Sequence, residues 1–379
     1  MAVQRVAILA GEPSGDVLGA GLMRELRALR PDVAFEGIGG AAMAAEGLEA
    51  LEPMEGLSLM GLTEIVRHLP RLLRLRRRLA RRWRARPPAV FIGVDLPDFN
   101  LSLERRLRGA GVTTVHYVSP TVWAWRRGRL RGIRRAVSRM LTLYPFEQAV
   151  YAEAAVDAVC VGHPAADRFP LAPDAGAARQ RLGLAAEATV LAVLPGSRRS
   201  EVERLAEPFF AAAALLAEQR HGLELVVPVA TPHLRPPIEA AVERHGLGAR
   251  TRLLEADTAT AATAADAALT ASGTATLEVM LAKRPMVVGY RMAPLTFWAL
   301  RRLVRVPWVA QPNLLAGEAL VPEYLQEALA PAPLAEAVAG WLDDPAACAA
   351  LAQRFRALDA DLARGADRRA AEAVAELLP

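Results

Sequence analysis

The sequence predicts an α/β protein of two doubly wound domains facing each other across a cleft. Three observations carry that prediction. Short apolar runs bounded by turns, such as Val3 to Ala10 and Leu223 to Val229, read as buried parallel strands, each leading through a small-residue loop into a helical pattern. The same strand–loop–helix order repeats on both sides of one Pro/Ala/Asp-rich stretch, Pro164 to Gly176, which reads as a linker. At 379 residues the chain also exceeds what one ordinary core accommodates. The expected division is 1–165, 180–330, and a helical tail 334–379 that packs back on the first domain or on a partner subunit.

Composition narrows the class. The two cysteines, Cys160 and Cys348, lie far apart in apolar company, which excludes a disulfide framework or a cysteine-based zinc site and fits a reducing cytosol. Neither a signal peptide nor an apolar run long enough to span a bilayer is expected. Net charge is only +5, yet Arg67 to Arg86 holds ten arginines and no acid, and Arg126 to Arg139 holds seven more with none. Such local excess calls for an anionic partner: nucleic acid, an anionic membrane surface or a phosphorylated substrate.

In the first half, Val3 to Ala10 feeds the loop Gly11-Glu12-Pro13-Ser14-Gly15-Asp16. This loop lacks the lysine of a P-loop and the three glycines of a dinucleotide fingerprint, so it reads as substrate-facing. Glu12 is a candidate acid, base or sugar-hydroxyl acceptor, and Ser14 or Asp16 a candidate helix cap. Val33 to Ile38 is a second strand, with loop and short helix following as far as Ser58. Leu62, Ile65, Val66, Leu69, Leu72, Leu73 and Leu79 then recur at helical spacing beside the arginines of the first run. That pattern describes either a helix lying in a membrane interface or a core-facing helix with a solvated basic face. Ala89 to Val94 delivers Asp95 and Asp98 to a strand's carboxyl end, where ligands bind in open α/β sheets; Asp95 is the candidate base and Asp98 or Asn100 suits a helix cap. Thr113 to Val118 leads to Trp123 and Trp125, which either stack on nucleobases or rigidify a turn. His163, after the strands Met140 to Leu143 and Ala158 to Val161, is a hinge or catalytic residue.

In the second half, Val190 to Leu194 ends in Pro195-Gly196-Ser197-Arg198 ahead of a long helix. The apolar run 266–270 ends in Ser272-Gly273-Thr274, opening a helix that carries Glu278 one turn in. Small residues and unpaired N–H groups at a helix N-terminus form an anion pocket, and a carboxylate one turn on is placed to accept ribose hydroxyls. Gly196, Ser197, Arg198, Ser272, Gly273, Thr274 and Glu278 therefore read as a nucleotide site, with Arg198 neutralising a diphosphate. No Asp-any-Asp pair ends a strand, so no metal is expected. Asn313 and Gln326 are uncharged donors in later loops, and Trp298, Arg301, Arg302 and Arg305 form a second basic segment.

Six motifs, in this order and spacing, resemble those of the bacterial lipid-A-disaccharide synthases: Gly11 to Asp16, Gly93 to Asn100, His116 to Trp125, Leu194 to Arg198, Ala271 to Glu278 and Gln311 to Gly317. The resemblance implies two Rossmann-like domains of the GT-B class and an inverting glycosyltransferase. Its expected reaction joins UDP-2,3-diacylglucosamine to 2,3-diacylglucosamine 1-phosphate (lipid X), forming the β-1,6 disaccharide of lipid A and UDP. It further implies a Gram-negative source, a homodimer in many members, no nucleic-acid partner, and a peripheral location on the cytoplasmic face of the inner membrane. By motif position Asp95 is the expected base on the acceptor 6-hydroxyl, Glu12 an essential acid, and Arg198, Glu278 and Asn313 the residues around UDP. Leu96 stands where the family pattern suggests a small residue. Leu62, Val66, Leu69, Leu72, Leu73 and Arg74 would touch acyl chains or the membrane. A UDP-N-acetylglucosamine 2-epimerase, a glycosyltransferase with a soluble acceptor, a nucleic-acid-binding protein and a non-catalytic nucleotide scaffold remain as alternatives at this stage.

Overall fold

The computed structural model describes residues 3–57, 62–122, 127–293, 297 and 306–379, the side chains of residues 55, 62–68 and 127 excepted. They form two compact units, Met1–Asp167 with Leu362–Pro379, and Arg168–Asp361.

The first unit is built on seven parallel strands: β1 (Gln4–Ala10), β2 (Val33–Ile38), β3 (Leu48–Ala50), β4 (Val90–Val94), β5 (Thr113–Tyr117), β6 (Arg139–Thr142) and β7 (Ala158–Cys160). Their order in the sheet is β3-β2-β1-β4-β5-β6-β7. The chain winds outward from β1 in one direction and then returns to start again at β4, so the strand order reverses between β1 and β4, which pair with Ala10 opposite Val94. Both faces are covered by helices, and the central strands are accordingly apolar throughout: Val6 to Ala10 and Val90, Phe91, Ile92 and Val94 are fully buried. The short strand β3 lies in a region expected to be loop and helix. Three residues with only Leu48 buried give no periodicity to read.

The second unit repeats the plan with β8 (Thr189–Leu194), β9 (Leu223–Val229), β10 (Thr251–Glu255), β11 (Ala267–Ala271), β12 (Met286–Tyr290) and β13 (Glu323–Leu325), ordered β10-β9-β8-β11-β12-β13. Here the order reverses between β8 and β11, which pair with Leu194 opposite Thr270. Phe209 and Phe210 of the helix Arg199–Gln219 are fully buried in its core.

The tail divides differently from the expected block 334–379. The helix Pro331–Asp343 stays with the second unit, where Leu334 and Val338 are fully buried in the core around Phe209. Asp359, on the following helix, is held there too by the buried ammonium of Lys283. Only residues 362–379 join the first unit, through the helix Ala366–Ala375, which packs on Pro13–Leu29. Asp167 caps it by accepting from the N–H groups of Gly365 and Ala366 at 2.8 and 2.6 Å.

Candidate active site

In open α/β sheets a ligand site forms where strand order reverses, because adjacent loops there diverge to opposite faces and leave a crevice. In the first unit that place is between the ends of β1 and β4, which carry Glu12 and Asp95. Asp95 and Leu96 both adopt left-handed backbone, with φ of +50° and +47°. Non-glycine residues in this region cost about 1–3 kcal/mol each and persist only where surrounding contacts impose them. The Asp95 N–H donates to the Tyr117 oxygen at 2.8 Å, and Asn100 Nδ2 donates to the oxygens of Asp95 and Val94 at 2.8 and 3.3 Å. The turn starts the helix Pro97–Arg108 abruptly and leaves Asp95 half-buried on a cavity of about 360 Å³ that Asp98, Ser119, Thr121 and Arg129 also line.

Asp98 shares this cavity, but its side chain is 86% exposed and paired with Arg129 at 2.6 Å. Glu12, exposed at the N-cap of the helix Pro13–Leu29, sits on the neighbouring strand end and is not among the residues lining the cavity. Asp16 does not cap its own helix. It is buried and accepts from Gly40, Ala42 and Met43 N–H at 2.7–3.1 Å, tying the first loop to the one after β2. Beneath Asp95 lies a polar layer: Asn100, Glu104 and His116 are each fully buried, with His116 Nδ1 2.8 Å from Glu104 Oε1. Asn100, a candidate cap, instead lies inside the helix Pro97–Arg108. Burial pushes the Glu104 carboxyl up, and the neighbouring His116 opposes that shift.

In the second unit the reversal between β8 and β11 holds a cavity of about 350 Å³. Gly196, Ser197, Arg198, Ser272, Gly273, Thr274 and Glu278 all line it, together with Thr258 and Gln311. Two helix N-termini meet here, those of Arg199–Gln219 and Thr274–Leu281. Gly196 and Gly273, at φ of +125° and +137°, permit the sharp entries that expose their N–H groups. Arg198 is 77% exposed and contacts Glu201 at 3.3 Å. Glu201 also accepts from the N–H groups of Ser197 and Arg198 at 3.1 and 3.3 Å, so a carboxylate of the chain itself occupies part of the anion cradle. Its position at N3 of the helix is the capping-box spacing, a signal present in the sequence. Burial holds the Glu278 carboxyl above the usual range; the Thr258 hydroxyl bonded to it counteracts that, and Asp257 adds to it.

Ser272 lines the cavity with its hydroxyl donating to the Val309 oxygen at 2.8 Å. One expected contact is corrected. Asn313, expected beside UDP, is fully buried below the cavity: its amide donates to the Val321 oxygen and Glu323 at 2.9 Å and accepts from Leu320 and Val321. It ties the helix Gln311–Ala316, whose first residue lines the cavity, to the segment Leu320–Glu323. Gln326 is likewise buried in the chain's own backbone framework.

The arginine-rich segment is a helix, Leu62–Ala85, and its leucines divide. Leu75, Leu79 and Trp83 are buried against Phe91 and Phe99, with Leu72 packed at the edge of that cluster, whereas Leu69 is 46% exposed. Leu72 therefore belongs in part to the core and not to an outward apolar face; Leu73 is half-buried and Arg74 exposed. The side chains of Leu62 and Val66 lie outside the described residues, as do Trp123, Trp125, Trp298, Arg301, Arg302 and Arg305. Among the described residues no helix is long and apolar enough to cross a membrane, and no group of three His, Cys, Asp or Glu side chains is placed to hold a metal ion.

A family profile described as lipid-A-disaccharide synthetase matches residues 6–374. The lipid-A-disaccharide synthase of Alkalilimnicola ehrlichii is 56% identical over 98% of this chain and 97% of its own length. That of Chromohalobacter salexigens is 50% identical over 99% and 97%. Among solved structures, a UDP-N-acetylglucosamine 2-epimerase homologue from Listeria monocytogenes superposes with a TM-score of 0.65 at 14% identity, covering 99% of this chain and 95% of that one. Sucrose-phosphate synthase from Thermosynechococcus elongatus gives 0.62 at 16%, covering 99% and 98%. At such identities the likeness speaks for the fold alone, two Rossmann-like domains of the GT-B type.

Proposed function

The chain belongs to the lipid-A-disaccharide synthase family, and from that premise we propose that it transfers 2,3-diacylglucosamine from UDP to the 6-hydroxyl of 2,3-diacylglucosamine 1-phosphate, with inversion. The observation that carries this reading is the second-unit cavity. Two helix N-termini, Arg198 and Glu278 around one space at a strand-order reversal suit a nucleoside diphosphate, with Arg198 and the N–H groups toward the phosphates and Glu278 toward the ribose. No metal is needed in this scheme, since Arg198 and the N–H groups take up the charge that develops on the leaving diphosphate.

Asp95 is the base. Its carboxylate takes the proton of the acceptor 6-hydroxyl as that oxygen bonds to the anomeric carbon; the bond from that carbon to the diphosphate oxygen breaks, and UDP leaves with the electron pair. Lining a cavity favours Asp95 over Glu12 for this step, and the pairing of Asp98 with Arg129 leaves Asp98 a supporting role. Exposed Leu69 and the neighbouring arginines favour a peripheral position on the membrane that holds both lipid substrates, at its cytoplasmic face.

The test is product identity. Incubation with both substrates yields the β-1,6-linked disaccharide 1-phosphate by mass spectrometry and linkage analysis; recovery of a 2-epimer of the donor sugar, with no disaccharide, would overturn the reading.

A further inference from the structure

We propose that an arginine-lined cavity on the first unit binds the anomeric phosphate of the acceptor. This rests on the function proposed above and assigns a place to one group of that substrate.

The cavity, about 620 Å³, lies between the helix Leu62–Ala85 and the segment after β3. Arg71, Arg74, Arg78 and Arg81 follow one another at spacings of three, four and three, which puts them on one side of the helix, and Arg77 flanks them. The opposite side carries Leu72, Leu79 and Trp83 toward the core. The arginine side therefore follows from the amphipathic pattern, but its concavity does not: Pro53 and Gly56 close the space from across. Arg78 is neutralised by Glu52. Among the described residues no carboxylate pairs with Arg71, Arg74, Arg77 or Arg81. Guanidinium groups gathered around one hollow repel one another unless an anion joins them, and their planar N–H arrays match phosphate oxygens.

The cavity's position identifies which phosphate. Gly56 in its wall is followed by Leu57, which is buried. A Cβ placed on Gly11 would lie 2.6 Å from Leu96 Cδ2 and 3.3 Å from Leu57 Cβ, so Leu57 meets the loops after β1 and β4 beside Asp95. From the same helix, Arg76 lies 6.0 Å over the ring of Phe99, in the first turn after Asp95. The cavity thus adjoins the Asp95 strand end without including it. The acceptor makes the matching demand: its nucleophilic hydroxyl is on carbon 6 and its phosphate on carbon 1, at separate ends of one pyranose ring. A bilayer surface is flat, and a hollow walled on one side by Pro53 and Gly56 suits a single phosphomonoester better.

The test compares two acceptors, 2,3-diacylglucosamine with and without its 1-phosphate, in the wild type and in Arg71→Gln, Arg77→Gln and the double variant. These side chains are exposed, so the fold should survive, as circular dichroism would verify. The expected result is a fall in kcat/KM of about tenfold or more per arginine for the phosphorylated acceptor, the scale of a lost charge-assisted hydrogen bond, with no change for the other acceptor or in UDP affinity. The wild type's preference for the phosphate collapses in the double variant. An equal fall for both acceptors, accompanied by loss of binding to vesicles of phosphatidylglycerol and phosphatidylcholine, would assign the arginines to membrane headgroups and overturn the proposal; so would unchanged kinetics. If the wild type turns over neither acceptor, the proposed function itself fails. The cavity is then decided by calorimetric titration with glucosamine 1-phosphate, whose binding to the wild type and not to the double variant supports a phosphate site and whose absence from both removes it.

Discussion

Asn100 Nδ2 donates to the main-chain oxygen of Asp95 at 2.8 Å from a side chain that is wholly buried beneath it. The same amide reaches the oxygens of Val94 and Leu9 at 3.3 and 3.5 Å, so one residue joins the ends of β4 and β1 and supports the left-handed turn that presents Asp95. Asn100→Ala removes the buried donor that these oxygens share. The expected cost is about 1–3 kcal/mol of stability, measured by denaturant unfolding, with a larger proportional fall in kcat than in UDP affinity. Full turnover in a folded variant would show that the Asp95 turn does not depend on it.

Arg198 stands exposed at the second-unit cavity and shares its charge with Glu201. Arg198→Ala is expected to weaken UDP binding by about 1.5–3 kcal/mol, as for a hydrogen bond to a charged group. Glu201→Gln is expected to strengthen it, because the carboxylate now lying on the Ser197 and Arg198 N–H groups competes with a diphosphate for them. Calorimetric titration checks both, and an unchanged curve for Arg198→Ala would misplace the diphosphate.

Burial holds the Glu278 carboxyl above the usual glutamate range. As pH falls, Glu278 therefore takes its proton earlier than a free glutamate would, and a protonated carboxyl accepts ribose hydroxyls less well. UDP affinity is expected to fall as pH drops through that raised value, a dependence Glu278→Gln lacks. The stability sign is opposite: the folded state binds this proton more tightly than the unfolded chain, so ionised Glu278 costs stability above its folded pKa. Glu278→Gln should leave the unliganded protein at least as stable at neutral pH. Equal slopes of UDP affinity against pH in both proteins would separate Glu278 from the nucleotide.

On the arginine-rich helix, Leu69→Ser is expected to reduce retention on anionic vesicles while leaving the melting temperature nearly unchanged, since Leu69 is exposed. Leu79→Ser, which empties a fully packed position beside Trp83 and Phe91, should instead destabilise by about 2–5 kcal/mol, the range for truncating a buried leucine. Sedimentation with vesicles and thermal melts separate the two; unaltered retention of Leu69→Ser would remove that side chain from the membrane contact.

The sheets were legible because their strands are buried on both faces and so appear as unbroken apolar runs; Val33–Ile38 and Leu223–Val229 match their expected limits residue for residue. β3 and β13, three residues each at sheet edges, carry no such signal. Gly196 to Arg198 and Ser272 to Glu278 were recognisable as cavity residues because small residues at a strand-to-helix turn have a local signature. Asn313 was not, because nothing local distinguishes an amide facing a ligand from one satisfied by Val321 and Glu323. Nor does spacing alone reveal that Leu72 meets the core while Leu69 does not, for both lie on one helical stripe and only the neighbouring strands decide where it ends.

The most direct measurement of the central claim is release of UDP from UDP-2,3-diacylglucosamine with and without 2,3-diacylglucosamine 1-phosphate, in the wild type and in Asp95→Ala. The account predicts acceptor-dependent release, one UDP per disaccharide formed, and loss of that turnover in Asp95→Ala with UDP affinity nearly intact. UDP release at the same rate without acceptor, or full turnover in Asp95→Ala, would contradict it.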